Sequence, residues 1–98
     1  MRAPWIGLAL KEIARAKIHV HFRMRDGFAL AEQVADHIHI DLNNHVPPAK
    51  LFLHEMIHYI MPLEKESEAL VRFAEREIWS SLHPSEKLAL YRKLFGTS

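Results

Sequence analysis

The chain opens on a helical period. Between about Pro4 and Ala16, Ile6, Leu10 and Ile13, joined by Ala9 and Ala14, recur at three- and four-residue steps, which predicts an amphipathic helix with Pro4 in its first turn. The period then falls to two. Ile18, Val20 and Phe22 alternate with His19, His21 and Arg23, the pattern of a half-buried strand. Arg25-Asp26-Gly27 supplies a turn. Phe28 to Asp36 permits a helix through its alanines, but its position after an Asp-Gly turn favours a second, weaker strand. His37 to Leu42 alternates again, with Ile38, Ile40 and Leu42 facing one way and His37, His39 and Asp41 the other, until Asn43-Asn44 ends the strand.

Beyond Asn44 every apolar pattern is helical. Pro47 and Pro48 fit a first turn, where no amide donor is needed, and Lys50 to Met61 runs without a breaker, with Leu53, Ile57 and Ile60 as a stripe and Met56 beside it. Pro62 opens the next helix, whose apolar face is Leu63, Leu70, Val71, Ala74 and Ile78, up to about Trp79. His83-Pro84-Ser85-Glu86 begins a last helix with Leu88, Tyr91, Leu94 and Phe95 on its apolar side and Gly96 at its end. The expected fold is therefore α+β: an N-terminal helix, a small two- to three-stranded sheet, then three helices, with the helices on one face of the sheet.

Length and composition narrow what such a fold can do. Ninety-eight residues make one domain, residues 1–98, with a single modest core. The absence of cysteine excludes disulfides, thiolate catalysis and every Cys-containing metal site, so a metal here must use His, Asp or Glu. Thirteen Lys and Arg against twelve Asp and Glu create no field for nucleic acid or an anionic membrane, and neither partner is expected. The N-terminal apolar run is broken at Lys11 and Glu12, too short for a secretory segment, and no run approaches the ~20 residues of a membrane span. A cytoplasmic location is the expectation.

The chemistry concentrates in His54-Glu55-Met56-Ile57-His58, an HExxH pattern inside the first of the later helices. Histidines at i and i+4 share a helical face and can place both imidazoles on one zinc ion, while Glu55 beside the first can act as general base toward a water that the metal activates. The pair flanks the Leu53, Ile57, Ile60 stripe, which puts it at the edge of the core. Zinc needs a further protein ligand. If the next helix folds back at Pro62, residues equidistant from the turn face one another, and the mirror of position 56, midway between the histidines, is 68. Glu68 is the first choice on this geometry, Glu66 the second as the mirror of His58, and Glu64 the third; a carboxylate that does not bind metal, Glu64 or Glu66, can fix the tautomer of a ligating imidazole.

His54-Glu55-x-x-His58, followed by Glu66-Ser67-Glu68-Ala69 and then Phe73-Ala74, resembles the gluzincin metallopeptidases, and looks most like their ImmA/IrrE-type and minimal single-domain members. The likeness covers roughly residues 37 to 79 and rests more on HExxH than on the Glu-x-Glu-Ala segment. It implies a minimal zincin-like core, a zinc ion held by two His and one Glu, and hydrolysis of peptide bonds in a peptide or protein substrate. A second electrophile for the scissile carbonyl would come from Arg72, His83 or Tyr91.

Other readings stand beside these. The ligand set could serve a latent or non-catalytic zinc-binding module with a regulatory or interaction role. Glu64, Glu66 and Glu68 also suit the N-terminus of a helix through charge alone. His19, His21, His37 and His39 read first as a solvated strand face, and otherwise as a second metal patch or a pH-sensitive surface. Trp5, Phe52, Phe73 and Trp79 are expected to pack in the core or at hinges, and Arg72, Arg76, Arg92 and Lys93 to lie on solvated helix surface.

Overall fold

In a computed structural model, residues 2–23, 31–34, 37–42, 46–60 and 68–96 are described, and they form a mixed α+β fold. The elements in chain order are α1 (Pro4–Arg15), β1 (His19–Arg23), β2 (Ala31–Val34), β3 (His37–Asp41), α2 (Pro48–Ile60), α3 (Glu68–Ser81) and α4 (Pro84–Gly96). The Asp-Gly turn, Asn43-Asn44, and the expected helix opening at Pro62 with Leu63 in its face lie outside the described residues.

The strands form one sheet in the order β1-β3-β2, so the last strand in sequence is the middle one in space. β3 pairs in parallel with β1, in a register that sets His19 opposite His37, Val20 opposite Ile38 and His21 opposite His39. On its other side β3 pairs antiparallel with β2, Glu32 opposite His39 and Gln33 opposite Ile38. Alternation does what it predicts at Ile18, Val20, Ile38 and Ile40, all buried on the face that meets the helices. It fails at the end of β3. Asp41, the last paired residue, is buried at 4 % exposure, and Leu42, one position past the pairing, is exposed.

α2 is the centre of the packing and touches α1, α3, α4, β2 and β3. Its burial therefore exceeds the single stripe expected of it: Ala49, Leu51, Phe52, Leu53, Met56 and Ile57 are all buried, whereas Ile60 at its end is only partly covered. A wide apolar surface is what a helix covered on most sides by other elements requires. Lys50, His54 and His58, at successive four-residue steps, escape full burial and mark one polar edge.

The other helices correct the expected faces in detail. α1 buries Ile6, Ala9 and Ile13, leaving Leu10 partly covered and Ala14 exposed. α3 buries Val71, Ala74 and Ile78, a narrow stripe that excludes the neighbouring Leu70, and Phe73 is half exposed. α4 turns Leu90 and Leu94 inward, i and i+4 on one face, so Leu88 and Phe95 face outward and Tyr91 sits at the boundary. Phe95 compensates by stacking on Phe22 at 5.3 Å and on Tyr91 at 6.1 Å. Of the four aromatic residues expected to pack, Phe52 is fully buried, Trp79 is partly covered with the Lys87 ammonium 5.0 Å from its ring, and Trp5 and Phe73 are exposed.

Two polar clasps hold the ends of the chain. Lys93, expected on solvated surface, instead donates from Nζ to the carbonyls of Ala14 and Ala16 at 3.2 and 2.8 Å, where the C-terminus of α1 has acceptors to spare, and burial lowers its pKa. Arg2 grips Glu86 through two bonds of 2.7 and 2.8 Å, while Glu86 also accepts the backbone N–H of His83 at 2.9 Å and so caps α4. These contacts hold Glu86 well below the usual carboxylate range, at about 2, with the Arg2 side chain as the main cause and the His83 amide next.

Candidate metal centre

The polar edge of α2 meets a polar edge of α3. α3 begins at Glu68, where a carboxylate is favoured by the helix dipole, and Glu75 lies two turns further on along the same face. The contacts show that the two helices run in opposite directions here, since Lys50 and His54 reach the later Glu75 while His58 reaches the earlier Glu68. This places two histidines opposite two carboxylates beside the apolar contact of Ile57 and Met56 with the core.

Glu68 bridges the histidines. Its Oε1 is 2.8 Å from His54 Nε2, and its Oε2 is 3.0 Å from His58 Nε2. The rings of His54 and His58 meet edge to face, with centroids 5.1 Å apart. Among the described residues, His54, His58 and Glu68 form a group whose ligand atoms all lie within 4.8 Å of one another, and such a group can hold a metal ion. All three are partly exposed, Glu68 most of all, so the group is open to solvent on one side.

The remaining nitrogen of His54 is engaged as well. Nδ1 lies 2.6 Å from Oε1 of Glu75, whose other oxygen is 3.9 Å from Lys50 Nζ. Both ring nitrogens of His54 thus face carboxylate oxygens, to which each can donate an N–H; with Nδ1–H kept on Glu75, loss of the Nε2 proton would leave that nitrogen, beside Glu68 and His58, to a metal ion. The sequence reading assigned this supporting role to Glu64 or Glu66, which lie outside the described residues. Glu75 fills it. The signal that finds Glu75 is its seven-residue step from Glu68, and Lys50 is found by its four-residue step before His54.

The other predicted residues divide. Glu55 is buried on α2 at 7 % exposure and is engaged by a partner. Arg72 stands by the group, with Nε 3.8 Å from Glu68 Oε1. His83 precedes α4, with its backbone N–H on Glu86, and Tyr91 stacks on Phe95, so the structure brings neither into this group.

No helix among the described residues is long and apolar enough to cross a membrane. Comparison of the chain with family models, with curated proteins and with solved structures gives no match.

Proposed function

We propose that the chain is a zinc-dependent metallopeptidase of the gluzincin type, with His54, His58 and Glu68 as metal ligands and Glu55 as general base. The observation that carries this reading is the convergence of two imidazole Nε2 atoms on both oxygens of Glu68, within an HExxH helix. Two nitrogens and a carboxylate, with no thiolate, are a donor set that suits zinc and leaves a fourth position open. Bound there, zinc would polarise the scissile carbonyl and lower the pKa of the attacking water toward ~7.

The chain's own residues do the rest. Glu55 removes a proton from the water as its oxygen attacks the carbonyl carbon, and passes that proton to the amine nitrogen as the C–N bond breaks. Glu75, accepting Nδ1–H, would leave Nε2 of His54 to the metal. Arg72, whose Nε is 3.8 Å from Glu68 Oε1, is the candidate cation for a developing oxyanion. β2, paired on one side with β3 and packed on α2, offers main-chain groups for an extended peptide.

The burial of Glu55 favours a second reading, a latent or non-catalytic zinc module, because a general base must reach its water. Metal analysis of untagged protein, followed by a peptide-library cleavage assay with and without chelator, separates the two. The peptidase reading expects one zinc per chain and chelator-sensitive cleavage, which Glu55→Gln lowers by at least ~100-fold while the zinc stays bound. Stoichiometric zinc with no cleavage supports the latent module. Zinc-free protein that takes up none on addition overturns both.

A further inference from the structure

The outer face of the sheet carries four histidines that the centre on α2 does not use. They come from two copies of one pattern, His19-Val20-His21 on β1 and His37-Ile38-His39 on β3, in which each valine or isoleucine faces the core and each histidine faces away from it. Alternation alone describes a solvated surface. The parallel register makes it something narrower, because His19 pairs with His37 and His21 with His39, so four imidazoles occupy the corners of one small patch. Neighbouring strands lie ~4.8 Å apart and same-face residues ~6.6 Å apart along a strand, within reach of imidazole rings.

The rings close that distance. They stack in the series His19, His37, His21, His39, with centroids 4.9, 5.2 and 4.7 Å apart and planes within 23° of parallel. At the middle of the stack His21 Nε2 lies 2.9 Å from His37 Nδ1, and the contact is exposed. Imidazole nitrogens bind a transition metal at ~2.0–2.1 Å, so two of them in adjacent positions of a square-planar site stand about 2.9 Å apart. As the rings stand, the 2.9 Å is that of a hydrogen bond between them, and it brings the two nitrogens within the separation of two adjacent ligands although they face each other.

We propose that the outer face of the sheet is a second metal site, built on His21 and His37 and completed by His39 or His19, which takes a divalent ion preferring tetragonal nitrogen ligands, Cu2+ above Ni2+. Imidazole is a borderline ligand suited to such ions, and the affinity order of divalent metals puts Cu2+ first. The four rings do not bring three ligand atoms together as they stand, so binding would break the His21–His37 hydrogen bond and turn the rings toward one ion; the exposure of His19, His21 and His37 leaves room for that rotation. The strand pairing fixes the two backbones, so the chain carries little ordering cost at binding. The site is independent of the zinc reading, since it shares no residue with His54, His58 or Glu68.

The test uses the untagged full chain titrated with Cu2+, in the wild type and in a His58→Ala, Glu68→Ala background that disables the centre on α2. We expect one Cu2+ per chain to remain in that background, with nitrogen hyperfine structure from at least two imidazoles in its electron paramagnetic resonance spectrum. Adding His21→Gln and His37→Gln should raise the Cu2+ concentration for half-saturation by about tenfold or more. In the wild type, substoichiometric Cu2+ should broaden the ring resonances of His21 and His37 as early as those of His54 and His58, a readout that needs no variant. Unchanged Cu2+ binding in the glutamine variants, or ring resonances of His21 and His37 that stay sharp, overturns the proposal and leaves a solvated strand face.

Discussion

Nδ1 of His54 and Oε1 of Glu75 lie 2.6 Å apart, and this contact sets the direction of the ring's other nitrogen toward Glu68 and His58. His54 thus has a carboxylate at each end. One carboxylate belongs to the candidate ligand set, and the other holds the ring from behind.

That arrangement predicts a supporting role for Glu75 in metal affinity. Glu75→Ala should weaken zinc binding by about 10- to 100-fold in competition with a chromophoric chelator. Glu75→Gln, which keeps an oxygen for Nδ1–H, should lose less. Glu77→Ala, exposed on the same helix, should match the wild type. Equal affinities in all four proteins would remove Glu75 from the centre.

A metal that joins α2 to α3 stabilises the fold by mass action. With free zinc at 100 times its dissociation constant the gain is about 2.7 kcal/mol. In a domain of this length that is a rise in Tm of about 10–20 °C. Calorimetry with and without chelator should show it in the wild type, and His54→Ala should show no difference between the two conditions.

Burial separates two phenylalanines that look alike in sequence. Phe52 on the central helix is fully buried, so Phe52→Ala should cost about 3–5 kcal/mol in urea unfolding. That is a large part of the 5–15 kcal/mol that holds a typical domain together. Phe73 is half exposed, and Phe73→Ala should stay within about 0.5 kcal/mol of the wild type.

The clasp between Arg2 and Glu86 predicts a contribution in acid. Glu86 in the folded chain titrates at about 2, below its ordinary 4.5, so its contribution to stability is complete above pH 4.5 and is lost as the pH falls through about 2. Glu86→Gln lacks that contribution at every pH. The difference in urea midpoint between wild type and variant should therefore be greatest above pH 4.5 and shrink toward pH 2.

Much of the local structure was legible in the residues. Helical and two-residue periods located α1, β1, β3, α2 and α4 to within a residue or two, and Pro4, Pro48 and Pro84 fell in first turns because a first turn needs no amide donor. The choice of Glu68 followed from reflecting one helix on another, and Glu68 does lie against both histidines, although Pro62, the assumed turn, is outside the described residues. The faces of α3 and α4 were less legible. Leu70, Leu88 and Phe95 are as apolar as their buried neighbours, and periodicity cannot say which of two adjacent apolar stripes will be covered.

Periodicity and composition were enough for the type of every element but β2, whose segment also permitted a helix, and for the α+β class, the absence of thiolate ligands and the spacing of His54 and His58, because each depends on residues close together in the chain. Three features depended on the tertiary structure. The insertion of β3 between β1 and β2, the contact of Glu75 with His54, and the stacking of His19, His37, His21 and His39 all join residues sixteen or more positions apart or depend on strand register. A linear pattern specifies which way a side chain faces on its own element. Which element it then meets is set by how α2, enclosed on nearly every side, fixes the positions of the helices and strands around it.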